Sequence, residues 1–180
     1  MMNLTDKSKY MALLLRHKPE KENLTLDKDG YTDVQSLLKA LDIDFDTLEE
    51  IVKTDNKGRY SFNDNKTKIR ANQGHSVKNV DIKFNLYNGK NVLYHGTATK
   101  YLKGIEEKGL IPGTRQYVHL SLDLETAKKV SMRHAKSESL MVIYEVDVEK
   151  MKKDGFKLFI SDNNVILTKN VPKKYLKRIK

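Results

Sequence analysis

The hydrophobic period changes partway along the chain, and that change limits the folds open to it. In the first part, Val34, Leu37, Leu38 and Leu41 fall at i, i+3, i+4 and i+7, the spacing of one buried helix face. In the second part the strongest apolar segment is Leu140 to Val146, interrupted only by Glu145, which reads as a strand. Helices gathered early and short strands gathered late predict an α+β chain. Its length of 180 residues allows one domain or two small lobes.

Local signals fill in the order. Thr5 can cap a first helix carrying Tyr10, Leu13 and Leu14 that ends near Lys18-Pro19. Leu24 to Leu26 reads as a short strand, followed by a turn over Asp27 to Gly30. Asp46-x-x-Glu49 has the form of a capping box before Leu48, Ile51 and Val52. Arg59 to Phe62 and Thr67 to Arg70, joined at Asn63 to Asn65, read as a hairpin. Helix, short strand, two helices and a hairpin is the order of a winged-helix-like lobe, expected over 1–78. A polar linker is expected over 79–90, and a strand-richer lobe over 91–180. In that lobe Val92 to His95 and Tyr117 to Ser121 are predicted strands, as are Lys157 to Ile160 and Val165 to Thr168. Thr97 or Thr99 is the expected cap of a helix stopping at Gly109, and Asp123 the cap of a helix through Ala127 and Ser131.

Composition removes several kinds of chemistry. Without cysteine, thiol catalysis, disulfides and thiolate metal sites are excluded. The five histidines show no short metal spacing, so no metal is expected. No apolar run approaches the ~20 residues of a membrane span, and no signal layout is visible at the start. The expectation is a monomer in the cytoplasm. Neither G-x-G-x-x-G nor G-x-x-x-x-G-K-[ST] occurs, so a nucleotide would need another kind of site.

The net charge of +10 fits either a polyanion partner or a solvated lysine-rich surface. Of 34 basic residues only six are arginine, at 16, 59, 70, 115, 133 and 178. Where lysine supplies generic charge, the few arginines are candidates for planar, two-pronged contacts with phosphate. Arg16-His17 ends the first helix, where cations complement the helix dipole and could also grip one phosphate. Ile69-Arg-Ala-Asn-Gln-Gly-His-Ser76 is the densest polar cluster. It reads as an ordinary loop or as one contacting phosphate and ribose, with Gly74 allowing close backbone approach. Tyr94-His-Gly-Thr97 is expected to close a strand and open a helix, with His95 either buried or donating to a ribose hydroxyl. Ser131-Met-Arg133 reads alone as an exposed helix surface.

Together these segments resemble the KptA family of RNA 2′-phosphotransferases, relatives of the tRNA-splicing 2′-phosphotransferase. The resemblance runs from Ser8-Lys-Tyr-Met-Ala-Leu-Leu-Leu-Arg-His17 to Val171-Pro-Lys-Lys-Tyr175. Leu93-Tyr-His-Gly-Thr97, His119-Leu-Ser121 and Met132-Arg133 occur in the family's order, and the Ile69 to Ser76 stretch is its most specific part. The resemblance implies a winged-helix-like RNA lobe packed on an ADP-ribosyltransferase-like NAD lobe. An Arg-His-Arg-Arg tetrad lies between them, matched here by Arg16, His17, Arg70 and Arg133. It further implies an NAD site on His95, Gly96 and Thr97, with His119, Ser121 and Ser76. The implied reaction needs no metal and consumes NAD⁺ as a co-substrate. An RNA 2′-phosphate attacks the nicotinamide ribose and expels nicotinamide. The ADP-ribosylated phosphate then cyclises, leaving a 2′-hydroxyl on the RNA and releasing ADP-ribose 1″,2″-cyclic phosphate. Two rivals stay open. One is an ADP-ribosyltransferase acting on nucleic-acid ends, or on protein through Glu145. The other is a winged-helix nucleic-acid binder without enzymatic activity.

Overall fold

The computed structural model describes residues 3–180. They divide into two units, one ending at Lys83 and the other running from Phe84 to Lys180. Helices and small antiparallel sheets alternate in an α+β arrangement.

The first unit opens with α1 (Leu4–Arg16), capped by Asn3, whose side chain accepts from the Asp6 N–H at 2.9 Å. Thr5, the expected cap, lies inside the helix. An asparagine one residue ahead of Leu4 satisfies an orphan amide, so the helix starts there. Met11, Leu14 and Leu15 are its buried face. Leu24 and Leu26 are buried but form no strand. The strand is β1 (Tyr31–Asp33), after the tight turn in which Gly30 N–H donates to Asp27 O. Leu24 and Leu26 fill core space without a hydrogen-bonding partner strand, which an apolar pattern alone cannot reveal. Asp33 caps α2 (Val34–Leu41), whose buried residues are Val34, Leu37 and Leu41. Asp44 caps α3 (Phe45–Thr54), two positions ahead of the expected Asp46. The hairpin is β2 (Tyr60–Phe62) and β3 (Lys68–Ala71), and the sheet order is β1-β3-β2. In its register Arg70 stands opposite Tyr31 and Ser61. Helix α1 packs against β3 and α2, which brings the Arg16 end of the helix to the Arg70 strand.

The second unit has two sheets. Strand β4 (Asn85–Leu86) belongs to one of them, and β5 (Val92–Ala98) to the other. Next come α4 (Leu102–Lys108), β6 (Val118–Leu120), α5 (Leu124–Ala135) and β7 (Met141–Asp147). The chain ends with α6 (Val148–Lys153), β8 (Leu158–Ile160), β9 (Ile166–Thr168) and β10 (Leu176–Arg178). The sheets run β10-β7-β5 and β4-β8-β9-β6. A bridge between Tyr94 and Ser121 ties β5 to the end of β6. Leu93, Leu120, Val142, Val146 and Ile166 are among the residues of the shared apolar core.

Strand β5 runs through His95, Gly96 and Thr97 to Ala98, so Thr97 caps no helix. A short 3-10 turn precedes α4, and α4 has no side-chain cap. The strand continues because β7 pairs with all of it, Gly96 opposite Ile143 and Thr97 opposite Val142. Helix α5 lies directly over Gly96: a Cβ there would fall 2.0 Å from Ala127 O and 2.8 Å from Ser131 N. The buried face of α5 is Ala127, Ser131 and Ala135, all small and four apart. Ser131 Oγ donates to Thr97 O and accepts from Val142 N at 3.1 Å, joining the helix to both strands.

Candidate functional site

In the first unit, Arg16, His17, Arg70 and the Asn72–Ser76 loop come together. The Ser76 N–H donates to Arg16 O at 2.9 Å, and Ser76 Oγ lies 3.0 Å from His17 Nδ1. The loop thus clasps the C-terminal turn of α1, where the helix dipole is negative and cations are favoured. Gly74 has φ +92°, a conformation suited to glycine. A Cβ at that position would lie 3.6 Å from the Arg16 guanidinium, so the loop passes close along that side chain. Asn72 anchors the loop: its N–H donates to Arg59 O and its side-chain amide to Gly58 O, both at 2.8 Å. Arg70 is held by its Nη1 donating to Asp29 O at 3.3 Å and by stacking over Tyr31, 4.8 Å from the ring centroid.

His75 lies at the centre of this cluster and is only 3% exposed. Its pKa is pushed down to about 4, first by burial and then by the charges of Arg16, His17 and Arg70. It is therefore neutral at physiological pH. Its Nε2 is buried without a hydrogen-bond partner and faces Gly30, whose added Cβ would come within 3.1 Å. A neutral imidazole spares the arginines a further like charge. The sequence reading placed His75 in the polar stretch without giving it a role. Its signal was only its place between Gly74 and Ser76.

In the second unit, His95 is held by its Nδ1, 3.0 Å from His119 O. A carbonyl only accepts, so Nδ1 carries the hydrogen. Burial, the main cause, holds the His95 pKa below its usual value and keeps the ring neutral. Its Nε2 is then an acceptor, not the donor to a ribose hydroxyl that was expected. Thr97 is buried, and the backbone of Ser121 is occupied by its bridge to Tyr94. Gly96 is accounted for by the close approach of α5. Arg133 is exposed on α5. The sequence placed Arg115, whose Nη1 lies 2.7 Å from His119 Nδ1, only among the six candidate arginines, and singled out no role for His134, which stands beside Arg133 on α5.

The residues suit phosphate and ribose chemistry. Each unit presents arginines and imidazoles, and the second adds a hydroxyl at Ser121 and an imidazole acceptor at His95. Among the described residues no group of histidine and carboxylate side chains has the arrangement of a metal site. No helix of the described residues is long and apolar enough to cross a membrane.

Comparison with known families matches residues 3–170 to "RNA 2'-phosphotransferase, Tpt1 / KptA family". A "Probable RNA 2'-phosphotransferase" of Fusobacterium nucleatum is 45% identical over 94% of this chain and 95% of its own. A relative of the same description from Flavobacterium johnsoniae is 42% identical over 94% of this chain and 93% of its own. One from Hahella chejuensis is 40% identical over 96% and 93%.

Proposed function

The chain belongs to the RNA 2′-phosphotransferase, Tpt1 / KptA family and is a transferase; from that premise we propose that it removes an internal 2′-phosphate from RNA at the expense of NAD⁺. The observation that carries this reading is the first-unit cluster, in which α1 and the Asn72–Ser76 loop hold Arg16, His17 and Arg70 around a neutral His75. Such a cluster suits a dianionic phosphate monoester.

In this reading the first unit is the RNA lobe, of winged-helix type, and the second is the NAD lobe, of ADP-ribosyltransferase type. Arg16, His17 and Arg70 grip the 2′-phosphate and orient one oxygen for attack, so positioning supplies most of the first step. Arg133 stabilises the charge that gathers on the phosphoryl group during the second, cyclising step. NAD⁺ supplies the electrophilic ribose carbon and the nicotinamide leaving group. The donor set of the second unit fits it: His95 Nε2 accepts from a ribose hydroxyl, with Ser121 and His119 beside it. Ser76, hydrogen-bonded to His17, bears on the same phosphate. Gly96 and Thr97 serve this site through the backbone path of β5.

The test is a short RNA with one ³²P-labelled internal 2′-phosphate, incubated in EDTA with and without NAD⁺. Label should pass to a small cyclic product only when NAD⁺ is present. Arg16→Lys, Arg70→Lys and Arg133→Lys should each lower the rate by about 10²-fold or more, because an ammonium cannot replace a planar two-donor contact. Label that stays on ADP-ribosylated RNA would favour the nucleic-acid-end transferase. RNA left unchanged by folded protein would overturn the reading.

A further inference from the structure

Among the arginines of the first unit, Arg59 has no role above. It lies in the turn between α3 and β2, and that turn is closely held. Asp55, at the end of α3, has a side chain only 3% exposed. One of its oxygens accepts from the Arg59 N–H at 2.5 Å, and the other pairs with the Arg59 guanidinium. Asn72 binds the same turn at Gly58 O and Arg59 O. The guanidinium is thus a positioned plane, and one residue ties its turn to the loop that clasps Arg16 and His17.

Arg59 lines a cavity of about 570 Å³, within the range of roughly 300–1,000 Å³ usual for sites that take small organic groups. Leu4, Ala12 and Ile51 give it an apolar wall, and the exposed Asn56 adds an amide. The cavity runs along α1 towards the phosphate cluster. Ser8 and Ala12 line it, and with Arg16 they stand four apart on one face of the helix. Ala12 and Ser8 are therefore about 6 and 12 Å from Arg16 along the axis. Tyr60, whose hydroxyl donates to Ser8 O at 2.8 Å, also lines the cavity. Burial raises its pKa, while the Ser8 hydrogen bond and then the charges of Arg16 and Arg59 draw it partly back, so both guanidinium groups act on one hydroxyl. The cations that line the cavity are answered: Lys9 pairs with Asp6 at 3.0 Å, and Arg59 with Asp55. A phosphate gains little from cations already paired. An uncharged planar group gains an apolar wall, a guanidinium plane to stack on and an amide to bond its edge.

We propose that this cavity is a base subsite, which takes an unpaired nucleobase of the same RNA strand, stacked on Arg59, a few nucleotides from the 2′-phosphate. The proposal rests on the reading that Arg16, His17 and Arg70 hold that phosphate. Stacked nucleotides rise about 3.4 Å each, so the 6–12 Å between Arg16 and the cavity spans roughly two to four of them. Single-stranded RNA fits better than a duplex, because only an unstacked base offers its faces to a guanidinium plane. The subsite selects for unpaired flanking sequence, and the Asn72 link joins its occupancy to the placement of the phosphate loop.

The full-length protein, ¹⁵N-labelled at arginine and asparagine, would be titrated with three probes. One is a short single-stranded RNA with a central 2′-phosphate. The second is the same RNA made abasic at every position but the phosphorylated one, and the third is adenosine 5′-monophosphate. The intact RNA should move the side-chain signals of Arg59 and Asn56, and the abasic RNA should leave them in place while still moving those of Arg16 and Arg70. Ala12→Phe fills the cavity from a half-buried position and should weaken binding of the intact RNA about tenfold, to the level of the abasic RNA. Arg59→Lys keeps a cation for Asp55 but loses the plane, and should weaken it several-fold. Arg59 and Asn56 signals that ignore the intact RNA, or answer the abasic RNA equally, would overturn the subsite. So would wild-type affinity in Ala12→Phe. Adenosine monophosphate that moves these signals at lower concentration than the RNA would replace the strand's base with a free nucleotide. Binding is read without turnover, so the two readings fail separately. Base-dependent binding without release of phosphate would leave the subsite standing and overturn the reaction proposed above, and turnover without base dependence would overturn the subsite alone.

Discussion

At the scale of single residues, His75 shows how a charge cluster is made tolerable. Its pKa of about 4, set first by burial and then by Arg16, His17 and Arg70, lies well below the 6.5 of an unhindered imidazole. The unfolded chain therefore takes up a proton at His75 as pH falls through 6.5, while the folded chain resists until about 4. The associated stability is fully present above pH 6.5 and is lost as pH falls towards 4. Across that window the loss amounts to roughly 2–3 kcal/mol. His75→Gln cannot titrate, so its unfolding free energy should fall less between pH 7.5 and pH 4.5, whatever it loses at neutral pH from imperfect packing. Urea titrations of both proteins at several pH values would check this. Parallel pH profiles would show that His75 does not carry the dependence.

At the scale of elements, the contact of α5 with β5 rests on the absence of side chains. A Cβ on Gly96 would lie 2.0 Å from Ala127 O, and backbone atoms cannot turn aside as a side chain can. Gly96→Ala should therefore cost about 3 kcal/mol or more, read as a lowered Tm. Gly104 on α4 is the control: nothing lies within 4 Å of its added Cβ, and Gly104→Ala should stabilise by about 0.5–1 kcal/mol. Equal effects of the two substitutions would show that close approach to α5 does not govern Gly96. The same elements show what could be read in advance. Helix α2, the hairpin of β2 and β3, helix α5 with its Asp123 cap and strand β7 were legible because each carries a local signal: a period, a turn or a cap. The end of β5 was not. His95-Gly-Thr97 looks like a strand-to-helix junction, and only pairing with β7 keeps it extended. Asn3 and Asp44 were missed as caps because Thr5 and Asp46, each two residues further on, compete for the same pattern. Arg115 stood among the six arginines, but its contact with His119 depends on the path of a loop.

At the scale of the whole molecule, the question is which of its charges meets RNA. The net charge of +10 is a sum, and part of the lysine charge is locally answered. Lys153 pairs with Glu149, Lys66 with Glu49 and Lys174 with Asp154. Paired lysines release few counterions when a polyanion binds. The proposed phosphate ligands should release more, because a phosphate replaces what surrounds them. For single-stranded RNA, the logarithm of the binding constant falls with the logarithm of salt by about 0.7 for each phosphate neutralised. If about three phosphates are engaged, the slope should be near −2. Arg70→Gln should flatten it by about 0.7 as well as weaken binding, while Lys153→Gln on the exposed face of α6 should leave it unchanged. Fluorescence anisotropy of a labelled 2′-phosphorylated RNA at several salt concentrations separates the possibilities. If Lys153→Gln flattens the slope as much as Arg70→Gln, RNA is held by diffuse surface charge. If only Arg70→Gln does, the polyanion is bound where the arginines are, and the lysines serve to draw it in.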